Sequence, residues 1–421
     1  MRYLSTRCHP ERKRFCDILL EGLAPDGGLY MPPQLPPRAI DWGADLRTRA
    51  TNLLAPYFND DALSAHLPTI VAEAFTFDAP LRWLDANTAL LELFHGPTAA
   101  FKDFGARFLA ATLARLVPAA STTTVLVATS GDTGAAVASA FHRRAGFRVV
   151  ILYPDGRVSP RQAHQLGAFG DNVQACRVAG TFDDCQAMVK AALSDRDLVQ
   201  RHRLTSANSI SLGRLLPQMA YYAHAALACT QGNRGLPSFI VPTGNLGNAF
   251  ACLLARERGL PIGRVMLATN ANRALVALAA TGRYEPGKTI ATLANAMDVG
   301  APSNAERLLA RFPNVQRVID ADWVDDETIR ETIGRTHAEH GVAICPHTAC
   351  GMEVLRRRRE RGDTDTWVVA ATAHAAKFDT VVEPIIGAPV PVPEPLARLL
   401  ASPSHSTPLA RDAAALMRLL G

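Results

Sequence analysis

The sequence predicts an α/β protein: two lobes of open, mostly parallel sheets flanked by helices, with an extra N-terminal lobe. Three observations carry that prediction. From about residue 120, short β-rich runs alternate with helical patterns, the order that builds a parallel sheet covered by helices. A second group of apolar runs, Phe239–Val241, Val265–Ala268 and Trp367–Ala371, supplies strands for another sheet. Residues 1–88 are rich in proline and show no clean period, so they read as a separate lobe packed on the rest of the chain. The chain has 421 residues and is 48% hydrophobic, enough for two lobes with buried cores.

In chain order, the N-terminal stretch carries turns at Pro25–Gly28 and from Pro32-Pro33 through Pro36-Pro37. No apolar stretch follows the first residues, so neither a signal peptide nor a membrane span is expected. A helix is expected over Lys102–Leu116, where Phe104, Phe108, Leu109, Thr112 and Leu116 recur at helical spacing. Val125–Thr129 leads to the small-residue helix Ala135–His142. Phe147–Tyr153 leads to a helix near Gln162, and Val173–Val178 to one over Cys185–Leu193. A further helix, Ala249–Arg256, follows Phe239–Val241. The tail from Val390 is proline-rich and ends in a short helix. The expected division is 1–88 for the N-terminal lobe, 89–123 with 231–421 for a large cofactor-binding domain, and 124–230 for a smaller α/β domain.

A net charge of +5 suits a small anionic substrate and is too weak to argue for nucleic acid. The densest basic run, Arg356–Arg361, reads as a solvated helix end before the turn at Gly362-Asp363. The 8 cysteines are scattered without a C-x-x-C pair, as expected of a cytoplasmic, reduced-thiol protein. Cys345-Pro-His347-Thr-Ala-Cys350 lacks the second ligand pair of a zinc site, so structural or substrate-facing roles are expected and no metal is assigned.

Three stretches carry chemistry. Lys102 stands between Phe101 and Phe104, just after the turn Gly96-Pro97-Thr98. An amine among aromatic side chains loses hydration, which lowers its pKa and suits Schiff-base chemistry with a carbonyl cofactor, pyridoxal 5'-phosphate first. Thr243-Gly244-Asn245-Leu246-Gly247-Asn248 joins a strand to a helix, and its glycines and free N–H groups fit a phosphate cradle. Thr129-Ser130-Gly131-Asp132-Thr133-Gly134 occupies the same kind of junction and can hold a carboxylate. Gly282–Thr289 satisfies the G-x-x-x-x-G-K-[ST] expression of a nucleotide-binding loop. Its Lys288 is nevertheless expected to be no nucleotide ligand, because the run before it, Asn272–Ala280, reads as a helix instead of a strand.

Taken together, F-H-G-P-T-A-A-F-K-D-F-G (94–105), A-T-S-G-D-T-G-A-A-V (128–137), S-A-N-S-I (206–210), P-T-G-N-L-G-N (242–248), N-A-M-D-V (295–299) and T-A-H-A-A-K-F (372–378) resemble the threonine synthases of the longer bacterial and fungal type. The resemblance covers nearly the whole chain. It implies a pyridoxal-phosphate enzyme of the tryptophan-synthase-β fold type (fold type II). Such enzymes convert O-phospho-L-homoserine and water into L-threonine and phosphate, the last step of threonine biosynthesis. By this resemblance Lys102 would bind the cofactor covalently and be catalytic. Gly244, Asn245, Leu246, Gly247 and Asn248 would hold its phosphate, and Thr372 would face its ring nitrogen. Ser130, Asp132 and Thr133 would lie at the substrate carboxylate and the cofactor face.

Two positions depart from the family pattern. Asn248 replaces an acidic residue at the end of the phosphate loop, and Asp132 stands where related enzymes carry asparagine. For the substrate phosphate, Arg157, Ser159, Asn208, Ser209 and Arg214 are candidates because they lie near expected strand ends, with Arg157 first. Two other activities remain open on the sequence: a phospho-lyase giving 2-oxobutyrate from the same substrate, and a P-loop ATPase built on Lys288. Monomer and homodimer both remain possible.

Overall fold

The structure is a computed structural model and describes residues 1–35, 42–118 and 120–421. Pro36 and Pro37 lie outside the described residues. In chain order the strands are β1 (Leu4–Ser5), β2 (Tyr30–Met31), β3 (Leu81–Trp83) and β4 (Thr88–Glu92). Next come β5 (Thr123–Ala128), β6 (Phe147–Pro154), β7 (Val173–Val178), β8 (Leu204–Ser206) and β9 (Ser238–Pro242). The last four are β10 (Val265–Thr269), β11 (Asp320–Trp323), β12 (Trp367–Ala371) and β13 (Thr407–Leu409).

They build two main sheets. The larger runs β11-β10-β9-β12-β4-β3 and is parallel except for the antiparallel edge pair β3–β4. The smaller runs β13-β7-β6-β5-β8 and is parallel throughout. β1 and β2 form an antiparallel pair of their own. Every residue of β5, β9, β10 and β12 is buried, as expected for parallel strands with helices on both faces. Such strands show a continuous apolar run, which is why they were visible in the sequence.

The largest core cluster joins the N-terminal stretch to the inner faces of both sheets. Helix Lys102–Leu113 runs through it, and its Phe108 meets Phe58 edge-on, with ring centroids 6.2 Å apart. Residues 1–75 thus cover a helix that begins at the candidate amine.

The structure corrects several expectations. Residues 81–83 and 88 belong to β3 and β4 of the large sheet, so the N-terminal lobe ends earlier than 88. The tail does not stay with the large sheet. β13 pairs in parallel with β7 at the edge of the small sheet, and helix Ala413–Leu420 buries Leu416 and Leu420 in the same apolar cluster as Cys185 and Met188. An open sheet edge and a bare apolar helix face account for that placement. The helix at Lys102 ends at Leu113, one turn early.

The basic run is not simply solvated. Arg356 and Arg357 fold back onto Glu353, whose side chain is 1% exposed and which also receives Arg335. Arg358 pairs with Asp363, and Arg359 donates to the carbonyls of Asn87 and Asp363. Gly282 closes helix Ala274–Thr281 with φ +73°, so a helix and no strand precedes Lys288.

Candidate active site

A cavity of about 510 Å³ opens at the C-terminal ends of strands from both sheets, where loops gather in open α/β folds. Lys102 reaches it as the first residue of its helix. The N–H of Phe101 donates to Thr372 O at 2.9 Å, which ties that helix start to the end of β12. The Lys102 Nζ lies 4.9 Å from the centroid of the Phe101 ring and 3.5 Å from an Asp132 oxygen. Phe104 faces the other way, packed on Phe75, Phe77 and Tyr221. One phenyl ring therefore shields the amine, and burial does the rest. Burial lowers the Lys102 pKa; Asp132 opposes the shift, and Lys377 and Arg214 add to it.

Asp132 is committed to other side chains. Its Oδ1 accepts from Lys377 Nζ at 2.8 Å and from Gln162 Nε2 at 2.8 Å. Burial alone would raise its pKa, but the ammonium of Lys377, then that of Lys102, hold it far below the usual carboxylate range. A carboxylate so placed repels a substrate carboxylate. The geometry therefore makes Asp132 a counter-ion for lysines. His347 also lines the cavity. Its Nε2 accepts from Ala296 N at 3.0 Å, so the ring is neutral at that atom, and burial pushes its pKa down to about 4.

The second junction, 243–248, lies on the cavity wall. Leu246 takes the left-handed conformation, φ 64°, directly before helix Gly247–Glu257. A buried leucine there is a strained position of the kind found at functional sites. No side chain caps this helix, and the first backbone bond onto its start is Phe250 N to Leu246 O at 2.8 Å. The N–H groups ahead of it are therefore free for an anion.

The two glycines differ. A Cβ on Gly244 would stand 2.7 Å from Met297 Cα, so the chain's own packing demands glycine there. A Cβ on Gly247 would meet nothing nearer than 3.5 Å, so space is kept open there by the absence of a side chain alone. Asn245 is spent on the loop itself: its amide donates to Ser209 Oγ and its oxygen accepts from Ser303 N. Asn248 gives its oxygen to the hydroxyls of Tyr221 and Tyr222, and its buried Nδ2 has no partner. Three more cavity-lining atoms are buried without a partner: Arg214 Nε, Asn208 Oδ1 and His347 Nδ1. Orphaned polar atoms around one cavity mark a site that a polar ligand completes. Together with the Lys102 amine they fit a phosphorylated aromatic aldehyde.

The loop 129–134 is partly used up. Thr129 Oγ1 accepts from the N–H groups of Gly131 and Gly134 at 3.0 and 2.9 Å. Ser130 and Thr133 remain on the cavity wall. Among the cations, Arg214 is 2% exposed and donates to Ala207 O at 2.8 Å, with no carboxylate within 4.0 Å among the described residues; burial lowers its pKa to about 10. Gly105 lets the neighbouring helix approach closely, since a Cβ there would sit 2.5 Å from Arg214 O.

Arg157 and Ser159 are not part of the lining. Arg157 is exposed in its turn, and Ser159 caps helix Pro160–Gly167 while donating to Lys377 O at 2.7 Å. The turn they occupy follows β6, one strand over from β5, whose loop reaches the cavity. Sequence reasoning missed Gln162, gave the run holding His347 a structural or substrate-facing role, and named Lys377 only as the next candidate lysine after Lys102, not as a partner of Asp132. The partners that reveal them come from distant parts of the chain. Cys345 Sγ accepts from Thr348 N as a helix cap, and Cys350 Sγ bonds Pro346 O.

Comparison with known proteins decides among these readings. The family of pyridoxal-phosphate dependent enzymes matches residues 79–373, the threonine synthase N terminus matches 2–75, and the threonine synthase C-terminal family matches 348–419. Threonine synthase of Serratia marcescens is 40% identical, covering 97% of this chain and 96% of its own. The chain belongs to the threonine synthase family. Threonine synthase of Escherichia coli K12 is 38% identical over 100% of this chain and 99% of its own. The crystal structure of threonine synthase from Escherichia coli superposes with a TM-score of 0.94, covering 100% of this chain and 99% of that one. The pyridoxal-phosphate-bound threonine synthase of Brucella melitensis superposes with 0.89 at 34% identity, covering 100% of this chain and 98% of that one. Maize serine racemase, at 16% identity and 0.56, shares the fold alone. As a member of the threonine synthase family, the chain is a pyridoxal-phosphate-dependent lyase of fold type II. No helix among the described residues is long and apolar enough to cross a membrane.

Proposed function

We propose that the chain makes L-threonine and phosphate from O-phospho-L-homoserine and water, as a cytoplasmic enzyme. The observation that carries this reading is one cavity holding three things: a buried amine whose pKa burial lowers, an uncapped helix start, and a buried arginine without a counter-ion. Pyridoxal 5'-phosphate bound there supplies an electron sink for negative charge that develops on the substrate carbons.

The chain's own residues do the rest. Lys102 would hold the cofactor, and its amine would move protons at Cα and Cβ of the substrate. The N–H groups of Gly247 and Asn248, with Asn248 Nδ2, bind the cofactor phosphate. Gly244, Asn245 and Leu246 shape that loop, and Asn245 fixes it to Ser209. Thr372, on the cavity lining, would offer a neutral hydroxyl to the cofactor's ring nitrogen. Ser130 and Thr133 orient the substrate carboxylate. Arg214 and the side-chain amide N–H of Asn208 receive the phosphate that leaves from Cγ, because a buried cation without a carboxylate partner is an anion site. Phe101, Leu246, Met297 and Val299 line the cavity with apolar surface and limit stray water.

The domain division that suits this reading places β3, β4, β9–β12 in a cofactor-binding part. It gives β5–β8 with residues 407–420 to a smaller part.

The test is a product assay on purified protein supplied with cofactor. Threonine and phosphate should form in equal amounts from phosphohomoserine, and Lys102→Ala should abolish both together with the visible absorbance of lysine-bound cofactor. Formation of 2-oxobutyrate as the sole organic product would instead establish the phospho-lyase activity.

A further inference from the structure

We propose that Lys377 is a positioning residue: it takes the one carboxylate at the reacting amine, Asp132, as its own counter-ion and thereby leaves Lys102 uncharged and nucleophilic. The inference rests on Lys102 being the reacting amine in the proposed function and adds the group that sets its protonation.

The geometry is asymmetric. Lys377 is 0% exposed, and its Nζ has two acceptors at 2.8 Å, Asp132 Oδ1 and Thr98 O. Lys102 reaches the other Asp132 oxygen only at 3.5 Å. Two ammonium groups therefore compete for one buried carboxylate, and Arg214 adds a third positive charge facing Lys102. His347 faces the same group and contributes no charge near neutral pH. Lys102 itself faces two cations and one carboxylate, and an amine so placed out of water is relieved by losing its proton. Asp132 and Thr98 O are taken by Lys377 at 2.8 Å, so the amine left without a close acceptor and eased by losing its proton is Lys102.

Lys377 is built to stay in place. It sits in the single turn Ala375–Phe378 that follows β12, and its carbonyl accepts from Ser159 Oγ at 2.7 Å. The preceding carbonyl, of Ala376, accepts from Arg161 Nη1 at 2.6 Å. Its acceptor Thr98 is fixed in turn: Thr98 N and Oγ1 donate to the two Asp103 oxygens at 2.8 and 2.7 Å. Asp103 also faces Lys377 electrostatically and follows Lys102 in the chain. Ser159 thus holds the counter-ion lysine from outside the cavity lining.

The experiment measures the protonation of Lys102 directly in protein freed of cofactor. The rate of trace acetylation of Lys102 by acetic anhydride is followed by peptide mass spectrometry between about pH 6 and pH 10. In Lys377→Met, Asp132 is left to Lys102 alone, and the inflection should move up by about one pH unit. Lys377→Arg keeps a cation beside Asp132 and should leave it within about 0.3 unit of the parent. An unmoved inflection in Lys377→Met, or equal shifts in both variants, overturns the proposal. Should Lys377→Met fail to fold, Asp132→Asn decides: Lys102 then faces Lys377 without a carboxylate and its inflection should fall, while a rise overturns the proposal. Acetylation makes no use of the threonine reaction, so failure here and failure of the product assay are separate results.

Discussion

Burial sets the charge of the Lys102 amine first, and the placement of one carboxylate among several cations sets it next. Burial was legible in the sequence because a lysine stood between two phenylalanines. Only Phe101 contributes its ring; Phe104 turns into the core, a choice made by Phe75, Phe77 and Tyr221 from elsewhere in the chain. The same limit explains the arginines. A turn after a strand is visible locally, but whether its side chain enters a cavity depends on the neighbouring strands. Arg157 is exposed outside the cavity lining, and Arg214 is buried in it. Replacing Arg214 by Ala should lower kcat/KM for phosphohomoserine at least about tenfold, the value of one charge-assisted phosphate contact. Arg157→Ala should change it by no more than about twofold. Steady-state kinetics on the two variants separates them, and the opposite ranking would return the phosphate to Arg157.

Two strand-to-helix junctions with similar glycine and hydroxyl content do different work, and the difference lies in capping. At 129–134 the Thr129 hydroxyl consumes two N–H groups, whereas the start of Gly247–Glu257 has no cap. Both junctions were legible as strand, turn and helix. Which N–H groups remain free was not, since it depends on side-chain geometry that periodicity does not encode. The glycines sharpen the point. Gly247→Val should leave the thermal midpoint of cofactor-free protein within a few degrees, because a Cβ there meets only ordinary contacts. It should also cut cofactor affinity by at least about tenfold in a spectral titration, because the added branches occupy the anion's space. Gly244→Ala should do the reverse in part, destabilising the cofactor-free fold by about 1–3 kcal/mol through its 2.7 Å approach to Met297. A Gly247→Val protein with unchanged affinity would remove the cradle from this loop.

At the scale of the molecule, pH acts through the buried histidine of the cavity. His347 has a folded pKa of about 4, against about 6.5 when unfolded. A depressed value means that the unfolded chain binds the proton more readily. The His347 contribution to stability is therefore full above about pH 6.5 and falls as pH drops towards 4. Between pH 7 and pH 5 the contribution is about 2 kcal/mol as a ceiling. His347→Gln keeps an acceptor for Ala296 N and should shrink the difference between urea midpoints at those two pH values in cofactor-free protein. An unchanged difference would place the acid sensitivity elsewhere.

The two sheets were legible as groups of strands, but the destination of the tail was not, because β13 is three residues long and its partner lies far back in the chain. That pairing also bears on synthesis. β7 leaves the ribosome more than half a chain before the strand that covers its edge. Through most of translation the small sheet therefore presents an unpaired parallel edge, and its last helix has yet to be made. Completion of the smaller lobe waits on synthesis of residues 407–420, so a product truncated before them carries the exposed edge on which neighbouring chains can template.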